Sequence, residues 1–368
     1  MMKNACIYGL VMIGLSISLS SRGQQLAPGF DKAEFRELLY ISARTGAFDS
    51  SYYKDIPEPG YHMAYRSAVM GLDNRWELWL NDRSSAVISI RGTTEKAESW
   101  LANFYAAMVP AKGQLQISER DTFTYALADH PRAAVHVGWL VSLAFLSQDM
   151  LPKLDSCYRA GIKNVILTGH SQGGAITFLL TAYLYNLQKQ GRLPADIRFK
   201  TYCSASPKPG NLYFAYAYEV MTQGGWSYNV VNAADWVPET PMSIQTLADF
   251  NETNPFVNAD MLIKKQRFLK RLTLRYVYNR LNKPTIRAQR NYEKFLGKMT
   301  SKMVKNTLPG YVPPDYYSSN HYVRTGTTVV LMGGEDYYKR YPDNPETPFV
   351  HHGHHPYLYL LAQPGSHP

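Results

Sequence analysis

The run Asn164-Val165-Ile166-Leu167-Thr168-Gly169-His170-Ser171-Gln172-Gly173-Gly174 holds a serine in a setting suited to nucleophilic attack. A short apolar strand enters a G-x-S-x-G pattern at Gly169, Ser171 and Gly173, and an apolar helical run follows at 175–184. Such a tight strand-to-helix turn pushes the hydroxyl out at the top of a sheet. Gly169 and Gly173 suit it because strand and helix then pass so closely that a Cβ would clash. The new helix would also aim its first N–H groups at the serine, where negative charge develops during acyl transfer.

Serine is a poor nucleophile near neutral pH, so it needs a base within hydrogen-bond reach and an acid to orient that base. The candidate acid is Asp235, in Asn232-Ala233-Ala234-Asp235-Trp236-Val237-Pro238 at the end of an expected strand. Open α/β sheets keep their chemistry at such strand ends. The bland alternative is an aspartate that caps the following turn. The base would come from His351-His352-Gly353-His354-His355. One of these histidines could be the base, the four could bind a metal at zinc-like spacing, or the cluster could be a polar loop. The serine and acid upstream leave a specific vacancy for one imidazole and favour the first reading. Pro356 suits the first position of a helix, which would place His354 and His355 on the loop just before it.

The elements that must position these groups follow from periodicity. Asp31 with Glu34 marks a helix start, and 65–72 with 76–80 reads as a hairpin. Further strands are expected at 85–90, 199–205, 227–233 and 325–332, and helices at 136–154, 213–221 and 356–361. A polar loop is expected after residue 108. Strands alternating with helices argue for an α/β fold with a mainly parallel sheet flanked by helices. The stretch 247–317 breaks that rhythm as a helical insertion before the last strand. We therefore expect a signal segment at 1–23 and one domain at 24–368 that contains the insertion.

The signal reading rests on Lys3, the apolar run 5–19 and the small residues Ser21 and Gly23. It implies export to the cell envelope or beyond and leaves Cys157 and Cys203, read as buried thiols. The net charge of +10 is concentrated. Residues 260–305 hold fourteen Lys or Arg and two acids, a net +12. Pro284 is expected to divide this segment into two basic amphipathic helices. They could cap an acyl pocket or make peripheral contact with an anionic lipid surface. No nucleic-acid recognition motif accompanies them.

Several motifs in this order resemble the class 3 (fungal-type) lipase family of α/β-hydrolases. They are Arg91-Gly92-Thr93, Ser99-Trp100-Leu101-Ala102-Asn103, His136-Val137-Gly138-Trp139 with Trp where the family has Phe, and the elbow Gly169-His170-Ser171-Gln172-Gly173-Gly174. Ser204-Ala205-Ser206-Pro207 with Gly210-Asn211, and Asn232 through Pro238, complete the set. The likeness covers about 85–241 and resumes near His321. It implies Ser171 as nucleophile, Asp235 as orienting acid, and the backbone N–H groups of Thr93 and Gln172 as the oxyanion hole. The family's base precedes an aromatic residue by three or five positions. His354 meets both counts, with Tyr357 and Tyr359, and is preferred to His355. The segment 95–109 resembles the family's lid. The implied activity is hydrolysis of acyl esters, as a lipase on triacylglycerol or related lipids, with no metal or organic cofactor. The alternatives are an esterase or phospholipase on another ester, and a non-catalytic lipid-binding protein on the same fold. The long gap from Asp235 to His354 departs from the family and leaves the substrate class open.

Overall fold

In the computed structural model, which describes residues 26–46, 49–82 and 85–363, a seven-stranded sheet has a spatial order equal to its sequence order. Its strands are β1 (His62–Arg66), β2 (Trp76–Leu80), β3 (Ser85–Ile90), β4 (Asn164–His170), β5 (Arg198–Ser204), β6 (Ser227–Asn232) and β7 (Thr327–Leu331). β1, β2 and β3 pair antiparallel, and β3 through β7 run parallel. The signal segment read at 1–23 lies outside the described residues.

Helix α1 (Lys32–Gly46) precedes the sheet, and α2 (Ala97–Phe104) lies in the connection from β3 to β4. Then α3 (Val137–Arg159), α4 (Gln172–Lys189) and α5 (Leu212–Thr222) join successive parallel strands. Right-handed crossovers between strands laid down in sequence order place all three connecting helices on one face. The other face would then meet water with Val87, Ile166, Tyr202, Val230 and Val329. It is instead covered by Phe35, Leu38, Leu39 and Ile41 of α1 and by Tyr357, Leu360 and Leu361 near the C-terminal end. Neighbouring positions Ile88, Leu167 and Cys203 turn to the opposite core with α3 and α4. This alternation explains why the central strands read as continuous apolar runs. Cys157 and Cys203 are both buried and unpaired.

The first helix begins as its sequence suggests: Asp31 Oδ1 accepts the N–H groups of Ala33 and Glu34. Glu34 itself pairs with the buried Lys200 on β5 at 2.6 Å, which pins α1 to the sheet.

The insertion carries α6 (Ala259–Lys264), α7 (Phe268–Glu293), a π-helical turn (Lys294–Met299) and α8 (Thr300–Thr307). The expected break at Pro284 does not occur; α7 runs through it for 26 residues. Pro284 is exposed, so the carbonyl that loses its N–H partner can be hydrated there. After β7 come α9 (Glu335–Arg340) and α10 (His354–Ala362). The last helix thus starts two residues before Pro356 and takes His354 and His355 off the loop.

Two further departures are local. The first hairpin strand is His62–Arg66 rather than 65–72, because a turn closed by the Met70–Asn74 bridge uses left-handed backbone at Gly71 and Asp73. The expected polar loop after residue 108 contains a second hairpin, Lys112–Gln116 with Thr122–Ala126. Its alternation is legible in Phe123 and Tyr125, which turn inward.

Candidate active site

The elbow owes its sharpness to glycine. A Cβ on Gly169 would lie 2.4 Å from the backbone of Gly173, and one on Gly173 would lie 2.2 Å from the carbonyl oxygen of Ile90. Ser171 sits between them at φ 59°, ψ −131°, a conformation rare for a residue with a side chain. Its N–H donates to the carbonyl of Ser204 at 2.9 Å, so the end of β5 holds the turn in place. Gln172 follows as the first residue of α4.

Asp235 is buried just past β6. Its Oδ1 accepts the N–H of Val237 at 3.0 Å, while Oδ2 accepts the Tyr357 hydroxyl at 2.9 Å and bonds His352 Nδ1 at 2.8 Å. Tyr357 in turn accepts the N–H of Asn232, which ties the carboxylate to the strand end. His352 therefore has one ring nitrogen on the acid and the other available. Ser171 and His352 both line a cavity of about 820 Å³.

The expectation for His354 is corrected by this geometry. His354 does not meet Asp235: Nδ1 lies 3.0 Å from the Tyr52 hydroxyl and Nε2 lies 3.0 Å from Ser42 Oγ. Both nitrogens are occupied because the ring leaves the first turn of α10 toward α1. The signal that could have found His352 was present, since Tyr357 stands five positions after it and is the tyrosine that touches Asp235. His351 is engaged elsewhere, with Tyr337 and Asp343. Among the described residues no group of His, Cys, Asp or Glu is arranged to hold a metal ion.

His170, inside the elbow, bridges the two halves of the site. Its Nε2 donates to the His352 carbonyl at 2.7 Å, so its Nδ1 accepts from Ser204 Oγ at 2.8 Å. Burial, then the neighbouring His354 and His352 rings, hold His170 well below the usual histidine range. The neutral tautomer is what positions the backbone of His352.

Thr93, in the loop after β3, and Gln172 are brought together by a residue not singled out for any role, Asn103 of α2. Asn103 Nδ2 donates to Thr93 Oγ1 at 3.0 Å, and its Oδ1 accepts from Gln172 Nε2 at 2.8 Å and from Trp139 Nε1 at 3.1 Å. His136 reaches the Asn103 carbonyl at 3.2 Å, and its ring stacks on Trp139 at 3.7 Å. The motif positions 103, 136 and 139 thus form one support. Behind Thr93, Asp73 gathers Arg91, Thr94 and Lys96 and fixes the loop's course. α2 occupies the segment read as a lid. Its Trp100 and Phe104 line the cavity, where Trp100 and Trp236 both pack against Phe349.

Burial gives the site a pH signature. Desolvation lowers His136 and His354 to about 3, whereas an unfolded histidine titrates near about 6.5. Below that value the unfolded chain takes up protons that the folded one refuses, so stability falls as pH drops from about 6.5 toward about 3. Each ring contributes up to about 1.4 kcal/mol per pH unit in that window. Urea unfolding followed across the window should show this slope, and His354→Gln should reduce it. A midpoint flat with pH would contradict the burial argument.

Residues 87–244 match the family model described as Lipase (class 3). A curated relative, secreted mono- and diacylglycerol lipase 1 of Fusarium solani, is 28% identical over 163 residues, which cover 44% of this chain and 40% of that protein. The chain thus spans well under half the length of that relative. Among solved structures, lipase II from Rhizopus niveus is similar at 23% identity and a TM-score of 0.42, covering 57% of this chain and 75% of that one. Lip2 lipase from Yarrowia lipolytica is similar at 16% identity and a TM-score of 0.44, covering 59% and 77%. The matched segment 87–244 is the one that carries the elbow serine, the Thr93 loop and Asp235.

Proposed function

We propose that this chain is an exported serine hydrolase of acyl esters, with triacylglycerol or a related lipid as substrate. Residues 24–368 would form one hydrolase domain, with 247–317 as an insertion. The observation that carries the reading is the His352–Asp235 bond at 2.8 Å beside a cavity that also holds the strained Ser171. Ser171 attacks the ester carbonyl while His352 takes its proton and returns it to the leaving alcohol. Asp235 holds the imidazolium, and water repeats the cycle on the acyl-enzyme. The backbone N–H groups of Thr93 and Gln172 would stabilise the oxyanion, one from each side. Asn103 is a positioning residue for both. Aromatic walls at Trp100, Trp236 and Phe349 suit an acyl chain better than a polar one.

A series of acyl esters of rising chain length, assayed below and above their solubility limit, tests this. Turnover should rise with chain length and rise again once an interface is present. Equal rates on dissolved and aggregated substrate would favour an esterase on a soluble ester. Absence of hydrolysis, with no labelling of Ser171 by a fluorophosphonate, would leave a binding protein on the same fold.

A further inference from the structure

The role above leaves α7 unused, and the helix has an unusual surface. Between Phe268 and Leu281 no side chain is buried, although the stretch contains seven large apolar residues that are exposed. Partly or fully buried positions, Arg275, Tyr278, Asn282, Ile286 and Gln289, recur at three- and four-residue steps and mark the side turned to the body. A second stripe, roughly a third of a turn around the helix, follows the same steps: Leu269, Leu272 and Tyr276, then Arg280, Lys283 and Arg287. All six are exposed, with Leu269 at 77% and Tyr276 at 61%. The guanidinium of Arg280 lies over the Tyr276 ring at 5.3 Å, where the apolar half meets the cationic half.

We propose that this outward stripe of α7 docks the protein on an anionic lipid surface, with Leu269, Leu272 and Tyr276 in the headgroup–acyl boundary and Arg280, Lys283 and Arg287 on the headgroup charge. Charge complementarity decides the partner. An uncharged interface would use the leucines and leave three cations without a role, and the surrounding segment is +12. No helix among the described residues is long and apolar enough to cross a membrane, so α7 lies on the surface. Its far end ties the contact to the site: Tyr292 in the last turn and Leu296 in the π-helical turn line the cavity that holds Ser171. By this proposal docking serves to hold the lipid against the helix whose last turn lines that cavity. Only this purpose rests on the acyl-ester reading; the binding itself does not.

The test uses the full chain carrying Ser171→Ala, so that lipid is not consumed, and sedimentation with vesicles of phosphatidylcholine alone or with added phosphatidylglycerol. Binding should be stronger on the order of tenfold or more to the anionic vesicles, and weaken with salt. Leu269→Asp with Leu272→Asp should lower it on the order of tenfold or more. Arg280→Glu with Lys283→Glu and Arg287→Glu should lower it similarly and erase the preference for anionic vesicles. In the Ser171 parent, both sets should keep turnover of a dissolved short-chain ester, which also shows that they fold. Loss of that turnover in the parent itself would count against the acyl-ester reading and not against docking. Equal binding to both vesicle types, or variants that bind like the parent, would overturn the proposal. So would light scattering that shows a dimer split by the leucine variants, which would assign the stripe to a second copy. Charge-reversal variants that lose heparin but keep the vesicles would assign the cations to a polyanion.

Discussion

Ser171→Ala is expected to lower turnover of an acyl ester by about 10⁶-fold while leaving the fold and its stability in place. The size follows from what the hydroxyl alone supplies. Without it no acyl-enzyme forms, and only the oxyanion donors and substrate positioning remain, which account for about 10³- to 10⁴-fold over water. The fold should not notice because the Ser171 side chain makes no capping bond to α4. Alanine has the same Cβ as serine, so the cost of φ 59° is unchanged. Steady-state kinetics and thermal unfolding of the same preparation check both halves. Near-normal turnover in the alanine variant would remove Ser171 from the mechanism.

The second large effect separates two neighbouring histidines. His352→Ala should cost about as much as the serine, again on the order of 10⁶, because removing either partner leaves the other without function. His354→Ala should leave turnover within about tenfold of the parent. It should instead destabilise the protein by about 2–4 kcal/mol. The ring fills a buried site against His170 and satisfies the hydroxyls of Ser42 and Tyr52, which lose their partner. Parallel kinetics and urea unfolding of the two variants decide the matter. An inactive His354→Ala beside an active His352→Ala would return the base to the helix and overturn the role given to the Asp235–His352 bond.

These two histidines also show where reading the chain stops being enough. The elbow was legible because its requirements are local. A strand, two glycines set by contacts under 3 Å and a helix all lie within a few residues. Asp235 was legible for a similar reason, since the end of a parallel strand faces the same edge of the sheet as the elbow. The alternation of strands and helices likewise pointed to a mainly parallel sheet, because strands joined by crossover helices pair parallel.

The choice among His351, His352, His354 and His355 depended on quantities that spacing does not contain. A start two residues earlier for α10 rotates His354 toward Ser42 and Tyr52, and leaves His352 on the turn that meets Asp235. Helix boundaries are set by the balance of caps and tertiary contacts, which a local pattern resolves only to a few residues. The continuity of α7 through Pro284 was beyond the pattern too, since hydration of a freed carbonyl depends on which side of the helix faces water. The joining of Thr93, Gln172, Trp139 and His136 through Asn103 is a contact across four separate segments. The sequence by itself therefore singled out the elbow serine and Asp235 as candidates, and determined the alternation of strands and helices and the excess of charge between 260 and 305. Only the tertiary structure decided which imidazole meets the acid and which stripe of the basic helix faces outward, because both turn on the rotation of a helix about its axis.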